Sequence, residues 1–284
     1  MTDTLSRLYF YLFGGFTIQR DGLRVPPPAS QKARALLAYL LVHPGVAHER
    51  AYLAGLFWPD LSESVARRRL SQALWQVRQV CPDIETNRTT VRLPSLDSYW
   101  VDVEAFRGAM SRAASHEESL LSSLQEAVDL YQGDFLPGFY DDWTLVQREQ
   151  LRQQYVLALQ KLVQGYFQLG AYDQALEAGQ RLINEEPLNE WAYEQVIRLC
   201  ALLGRRDEAM RHYARLRRNL AEALGARPGP AIEQLMERVR AGAGVQPERR
   251  APLFHDDITL PMIGRERAWE RVRSMVDALR RDQG

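Results

Sequence analysis

The first part of the chain has short runs of aromatic and branched residues, as β-strands do. Over residues 8 to 25, aromatic and branched residues are interrupted by Gly14-Gly15 and by the turn signal Asp21-Gly22. Three consecutive prolines, Pro26 to Pro28, then stop the pattern, because proline has no N–H to donate to a sheet. The sequence therefore predicts a small N-terminal sheet that ends before Ser30, a residue suited to cap a helix.

Helical spacing of apolar residues replaces the strand-like runs after Ser30. It defines a helix ending near residue 44, a second helix from His48 to Phe57, and a third that starts after Ser62 and ends at about Cys81, before Pro82. Strand-like patterns return at Glu85 to Leu93 and at Tyr99 to Val103, with a turn at Pro94 to Ser98. Three helices followed by a β-hairpin, or wing, are the order of a winged helix-turn-helix.

The third helix has two chemically distinct faces when its residues are placed about 100° apart. The face that we expect to be buried carries Ala66, Leu70, Ala73, Leu74, Val77 and Cys81. The opposite face and its shoulders carry Arg67, Arg68, Arg69, Ser71, Gln72, Trp75, Arg78 and Gln79. No carboxylate lies between Ser64 and Val80, so this surface suits the negatively charged major groove of DNA.

Arginine can bond guanine through two donors, and glutamine can bond adenine through a donor and an acceptor, so Arg68 and Gln72 are the best candidates for reading bases. The predicted wing adds donors for phosphates or the minor groove. The full predicted DNA-binding set is Arg67, Arg68, Arg69, Ser71, Gln72, Trp75, Arg78, Asn87, Arg88 and Arg92. Two alternatives compete: an arginine-rich face can simply be solvated, and Trp75 can be half-buried against its own domain.

After Asp102 every segment has the pattern of an amphipathic helix. Gly170 to Leu176 matches Gly204 to Met210 at an offset of 34 residues, which is the tetratricopeptide period. The fold class predicted is mainly α: a winged-helix DNA-binding domain over residues 1–102, then an all-α tetratricopeptide-like domain over residues 103–241. Residues 242–284 are a linker, rich in Gly, Pro and charge, followed by a basic helix.

Composition and motifs argue against a nucleic-acid-binding protein of strong overall positive charge, an enzyme and a membrane protein. The net charge is zero overall and +3 up to Asp102, an asymmetry too small to indicate nucleic-acid binding by itself. The two cysteines have no partner at metal-ligand spacing, and the five histidines are scattered, so we expect no enzyme, no metal and no cofactor. With no signal peptide and no long apolar run, the chain is expected to be cytoplasmic and to have no membrane partner.

Several stretches resemble the bacterial transcriptional activator domain proteins, which include regulators of antibiotic pathways in streptomycetes. The stretches are Leu12 to Gly14, Lys32 to Leu40, Leu56 to Asp60, the Arg67 to Arg78 helix, Trp100 to Phe106, Tyr131 to Phe139 with Trp143 and Arg148, and Gly225 to Pro230. The resemblance implies base contacts from the third helix, a wing contact near Arg88, direct repeats near promoters, and recruitment of RNA polymerase. Binding to double-stranded DNA as a monomer and as a homodimer are both compatible with it.

The tail, Leu260 to Arg267, resembles the entry to the ATPase module of large signal-transducing members of this group. No Gly-Lys-Ser/Thr occurs in the chain, so we expect no ATP hydrolysis. The chain would then be either an excised fragment of a longer regulator or a short form.

A competing functional class is a helical scaffold that binds a peptide or a small-molecule signal in its repeat groove. Tyr166, Phe167, Trp191 and Tyr193 have the spacing of such a site. Stacked repeats more often bury aromatic residues of this kind in their core, so no ligand can be identified from these four residues.

Overall fold

The computed structural model describes residues 7–116 and 119–242, which fall within one compact unit. The strands are β1 (Leu8–Tyr11), β2 (Thr17–Arg20), β3 (Leu23–Arg24), β4 (His48–Glu49), β5 (Glu85–Thr86), β6 (Thr90–Arg92) and β7 (Tyr99–Val101). The helices are α1 (Gln31–Leu41), α2 (Arg50–Phe57), α3 (Glu63–Val80), α4 (Asp102–Ser115), α5 (Leu120–Leu130), α6 (Asp142–Gln168), α7 (Tyr172–Glu185), α8 (Glu190–Leu202), α9 (Arg206–Leu224) and α10 (Pro230–Arg240). Of the linker and tail expected over residues 242–284, all but Gly242 lie outside the described residues.

The N-terminal sheet has the strand order β3-β2-β1-β7. β1 runs antiparallel to β2 and parallel to β7. The expectation that Tyr99 to Val103 returns along Glu85 to Leu93 as the second wing strand is therefore wrong. Tyr99 and Val101 alternate with half-exposed Trp100, and both are buried against the sheet, where the rings of Phe10 and Tyr99 are 5.9 Å apart. The strand also stops at Val101, because Asp102 begins α4.

The wing is a smaller sheet of order β4-β6-β5. β5 and β6 are joined by a tight turn at Arg88-Thr89, so the hairpin is complete within Glu85 to Arg92. Its third strand, β4, was predicted as the start of the second helix. That helix begins at Arg50 instead, because His48 and Glu49 pair with Val91 and Thr90.

The helices after Asp102 pack each on the next, from α4 through α9, and α10 packs on α8 and α9. The 34-residue repeat is confirmed: α7 starts at Tyr172 and α9 at Arg206, each after a glycine in the left-handed region. Gly179 allows close approach between repeats, since a Cβ there would lie 2.8 Å from Val196 Cγ2. The predicted mainly α fold, with a winged helix followed by tetratricopeptide-like helices, is confirmed.

The two regions meet along a strip of backbone. Phe13 forms an antiparallel bridge with Phe135, the Gly14 N–H donates to the Asp134 carbonyl over 2.9 Å, and the Leu136 N–H donates to the Leu12 carbonyl over 2.9 Å. Gly14 is in the left-handed region, and a Cβ on it would stand 3.0 Å from the Gln132 carbonyl oxygen. Only glycine fits both constraints, so the Leu12-Phe13-Gly14 stretch is specified by this contact.

Aromatic side chains pack at the same junction between the N-terminal and helical regions. Trp143, at the start of α6, lies 5.1 Å from the ring of Tyr39 and 6.2 Å from that of Phe57. Nearby, Lys32 pairs with Asp141, and the Gln31 side-chain amide donates to the Gly138 carbonyl over 2.9 Å. One continuous core runs through both regions, and the predicted division at residue 102 stays a prediction.

Arg148 holds the Phe135 to Phe139 segment in place. Its guanidinium donates to the carbonyls of Phe135 (2.7 Å), Leu136 (2.6 Å) and Phe139 (3.0 Å). Leu136 has a positive φ of 45°, a strained conformation for a residue with a side chain. The three bonds fix this strained turn against the N-terminal sheet.

We expect Arg148→Met to lower the free energy of unfolding by about 3 kcal/mol, because a hydrogen bond from a charged donor contributes roughly 1.5–3 kcal/mol and the three bonds of one guanidinium do not add in full. Chemical denaturation checks this. Gln150→Met, on an exposed position of the same helix, is the control and should cost little. Equal stability of the Arg148 and Gln150 variants would contradict the assignment.

Candidate nucleic-acid interface

Helix α3 is anchored by the face that the sequence predicted. Ala66, Leu70, Ala73, Leu74, Val77 and the following Cys81 are all buried. They pack against α1 and α2, which are the two helices that precede α3. Gln76, on one flank, accepts a hydrogen bond of 3.0 Å from the N–H of Ser30, the capping residue of α1. These contacts fix the rotation of α3 about its own axis, and they therefore determine which residues lie on its opposite face.

That opposite face is exposed to solvent. The residues that it presents are Arg67, Arg68, Arg69, Ser71, Gln72, Trp75, Arg78 and Gln79, each of them exposed. Trp75 is 66% exposed, which excludes the alternative that it is half-buried against its own domain. A large exposed aromatic residue among arginines is unusual on a surface that only meets water.

One carboxylate does reach this surface from the start of the helix. Glu63 Oε1 lies 2.6 Å from the guanidinium of Arg67, one turn along. Both side chains are more than half exposed, so the pair contributes little stability and can exchange for a phosphate. Arg68, Arg69 and Arg78 form no ion pair with any described residue.

Arg50 belongs to this site, although the sequence analysis missed it. Its guanidinium donates to Ser71 Oγ over 2.8 Å, and its backbone N–H donates to the Thr89 carbonyl at the wing turn over 2.7 Å. Ser71 Oγ in turn donates to the Arg67 carbonyl over 3.0 Å. The Ser71 hydroxyl is therefore already engaged, and the cation at that point of the surface is Arg50. Helical periodicity gives no signal for it, because Arg50 is recognisable only once His48-Glu49 is seen to be a strand.

A groove of about 500 Å³ separates α3 from the wing. Its walls are Arg50, Ser71, Leu74, Trp75, Arg78, Gln79, Pro82 and Thr86. Two of these residues are arginines and none is acidic, so the groove is positively charged. It joins the exposed face of α3 to the β5 strand of the wing in one surface.

The wing turn is shaped by Asn87. Its side-chain oxygen accepts from the N–H groups of Thr89 (2.8 Å) and Thr90 (2.7 Å) and from the Thr89 hydroxyl (3.1 Å). Asn87 therefore has a structural role as the acceptor of an Asx-type turn, in addition to any contact made by its amide. Arg88 projects from the turn and Arg92 from β6, and both are exposed.

His48 lies at the base of the wing with its Nε2 atom buried and without a hydrogen-bond partner among the described residues. Its ring is 5.0 Å from that of Tyr39 and 5.8 Å from that of His43. Burial, and then the nearby His43, lower the pKa of His48 from its ordinary value. The neutral imidazole is therefore the form that the folded wing accommodates.

The pKa of His48 is lower in the folded state than in the unfolded state. The contribution of its neutral ring to the free energy of unfolding is therefore fully present above pH 6.5, the ordinary pKa of histidine, and is lost as the pH falls through the folded value. We expect His48→Phe, which cannot be protonated, to unfold with a weaker dependence on pH below 6.5. Denaturation curves across this range test it, with His116→Phe at an exposed position as control. A wild-type slope retained in His48→Phe would show that another group is responsible.

Both cysteines, Cys81 and Cys200, are free and buried. Burial raises the pKa of Cys200 to about 11 and that of Cys81 to about 12. Within residues 7–116 and 119–242, no group of three or more His, Cys, Asp or Glu side chains is placed to hold a metal ion. No helix in that part of the chain is long and apolar enough to cross a bilayer.

Comparison with known proteins gives a family match over the helical region. Residues 101–240 match the family described as Bacterial transcriptional activator domain. Regulatory protein AfsR of Streptomyces coelicolor is 27% identical over 239 residues, covering 82% of this chain and 24% of AfsR. Transcriptional regulatory protein EmbR of Mycobacterium tuberculosis is 24% identical over 248 residues, covering 82% of this chain and 63% of EmbR.

The chain thus spans about a quarter of AfsR and under two thirds of EmbR. The solved structure of Mycobacterium tuberculosis EmbR in complex with a low affinity phosphopeptide has a TM-score of 0.64 and 23% identity, over 85% of this chain and 67% of that one. At this identity the likeness establishes the fold, including the order of winged helix and helical region.

Proposed function

We propose that this chain, whose residues 101–240 match the Bacterial transcriptional activator domain family, is a sequence-specific DNA-binding transcriptional regulator. The observation that carries the proposal is the exposed face of α3, which is rich in arginine and glutamine and continues through a cationic groove to the wing. Such a face, on a helix held by a buried opposite side, has the shape and charge of a recognition helix.

In the proposed complex, α3 enters the major groove, which is about 12 Å wide and admits one helix. Arg68 and Gln72 read base edges from the centre of the exposed face. Arg67, Arg69 and Arg78 contact phosphates from its shoulders, and Trp75 packs against the sugar-phosphate backbone.

Arg50 extends the phosphate contacts into the groove between α3 and β5. Its bond to Ser71 and its backbone bond to Thr89 place it between the two DNA-facing elements. Arg88 and Arg92 of the wing then meet phosphates or the minor groove next to the one that α3 occupies.

We infer transcriptional regulation from the relatives, whose names identify them as regulatory proteins, and activation from the matching family, Bacterial transcriptional activator domain. The proposed activator binds direct repeats near promoters, as a monomer or as a homodimer, and contacts RNA polymerase. No catalytic step is assigned to it, and its proposed location is the cytoplasm. Residues 1–102 are proposed as the DNA-binding domain, and residues 103–241 as the domain that contacts RNA polymerase.

A second candidate function is a helical module that senses a peptide or a small molecule, with DNA binding secondary. The solved EmbR structure, which is a complex with a phosphopeptide, supports this second candidate. The aromatic residues proposed for such a groove are mostly used elsewhere: Tyr193 is fully buried, and the Tyr166 hydroxyl lies 3.3 Å from Gln125 Oε1. DNA binding therefore remains the primary proposal.

We expect Arg68→Ala and Gln72→Ala each to reduce discrimination between the preferred and a mismatched DNA site by roughly 1–3 kcal/mol, because each removes a base-edge contact. A mobility-shift titration on promoter fragments from the organism of origin, at several salt concentrations, measures it. Arg24→Ala, an exposed arginine on β3, is the control. Unchanged discrimination in both α3 variants would refute the recognition-helix assignment.

Arg92→Ala should instead weaken binding to all DNA sequences alike. A phosphate contact carries no sequence information, and losing one should reduce the slope of log K against log salt by about one. The same salt titration on specific and random duplexes tests this. A loss confined to the specific duplex would mean that Arg92 reads bases.

A further inference from the structure

The outer side of α9 carries a second exposed stripe that the fold does not use. Its members are Met210, Ala214, Arg217, Ala221 and Leu224, all exposed. They are separated by four, three, four and three residues, which is the spacing of the a and d positions of a heptad. Met210 is 43% and Leu224 63% exposed, although both are apolar.

The core face of α9 is separate from this stripe. Ala209, Tyr213, Leu216 and Leu220 are buried and hold the helix against its neighbours. The exposed stripe extends over about 21 Å at ~1.5 Å rise per residue, long enough to contact four turns of another helix. Alanine at two of its five positions would let a partner helix approach closely.

Arginines without an ion-pair partner among the described residues cluster at the stripe on α9. The arginines before and along α9 are mostly engaged: Arg205 pairs with Asp173 at 2.6 Å, and Arg215 donates to Asn184 Oδ1 over 2.9 Å. By contrast, Arg217, Arg218 and Arg227 form no ion pair with any described residue. These three arginines line one groove of about 680 Å³, in which Ala214 and Ala221 also take part.

The groove contains one carboxylate, that of Glu233, which already accepts a hydrogen bond. Glu233 Oε1 accepts a hydrogen bond of 2.7 Å from the Tyr213 hydroxyl, and the Arg240 guanidinium lies 5.4 Å from the centre of the Tyr213 ring. The surface therefore has an excess of positive charge, at Arg217 within the stripe and at Arg218 and Arg227 beside it, while the other members of the stripe are apolar. A phosphate backbone would satisfy the charge but not the apolar residues, whereas an amphipathic helix with acidic flanks satisfies both.

We propose that the α9 stripe docks an acidic amphipathic helix of a partner protein. A second copy of this chain fits less well, because two identical stripes would set arginines against arginines. The tail of the chain also fits poorly in charge, since the segment Arg265 to Arg281 has more arginines than acidic residues. This surface lies apart from the α3 residues, so the proposal stands independently of DNA binding.

The test uses the full chain and a synthetic amphipathic helix in which leucines repeat at heptad spacing and glutamates flank them. Fluorescence anisotropy should show binding that is about tenfold or more tighter than for the same peptide with lysine in place of glutamate, as expected for charge-complementary docking. Arg217→Glu with Arg218→Glu, and separately Leu224→Asp, should each abolish that preference. Arg20→Glu with Arg24→Glu makes the same charge change at exposed positions of β2 and β3 and should leave the preference intact.

Two further readouts distinguish the outcomes. The α9 variants should keep wild-type DNA mobility shifts and circular dichroism spectra, so that a failure here is separable from a failure of the proposed function. Equal binding of the acidic and basic peptides, or of the wild type and the α9 variants, would overturn the proposal. Loss of DNA binding in the arginine variants, or self-association that Leu224→Asp removes, would assign the surface to nucleic acid or to a second copy and would also overturn it.

Discussion

The carboxylate of Asp102 joins the two halves of the described structure. It accepts hydrogen bonds from the backbone N–H groups of Leu12 (2.8 Å) and Phe13 (2.9 Å), at the end of β1, and of Val103 (2.7 Å), in the first turn of α4. Burial raises its pKa to about 6 although all these bonds favour the ionised form. A buried charge of this kind is tolerated only because every part of it is satisfied, so the chain must bring β1, β7 and α4 together in one arrangement.

The orientation of α3 depends on contacts that continue from this junction. The bridge between Phe13 and Phe135 continues it, and Trp143 extends it to Tyr39 and Phe57, which lie in α1 and α2. Because α3 packs on these same two helices, its exposed face has a fixed orientation relative to the helical region. The proposed DNA-binding face of α3 and the proposed docking stripe of α9 therefore lie within the same compact unit.

The sequence predicted the elements whose signals are local. The buried stripe of α3 and the 34-residue repeat follow from helical periodicity, and both are confirmed. The error over β7 arose because a strand pattern identifies a strand but not its partner, and Tyr99 to Val101 pairs with a segment about ninety residues away. Arg50 was missed for a related reason: its role depends on contacts with Ser71 and Thr89, which only the folded chain brings together.

Genomic footprinting with the purified chain tests the central claim most directly, because it reports binding, sequence and spacing in one measurement. If α3 and the wing recognise DNA as proposed, the protected sites will share a sequence arranged as direct repeats, and protection will depend on Arg68 and Gln72. Absence of protected sites at moderate salt, or the same protection by a chain lacking both side chains, would contradict it.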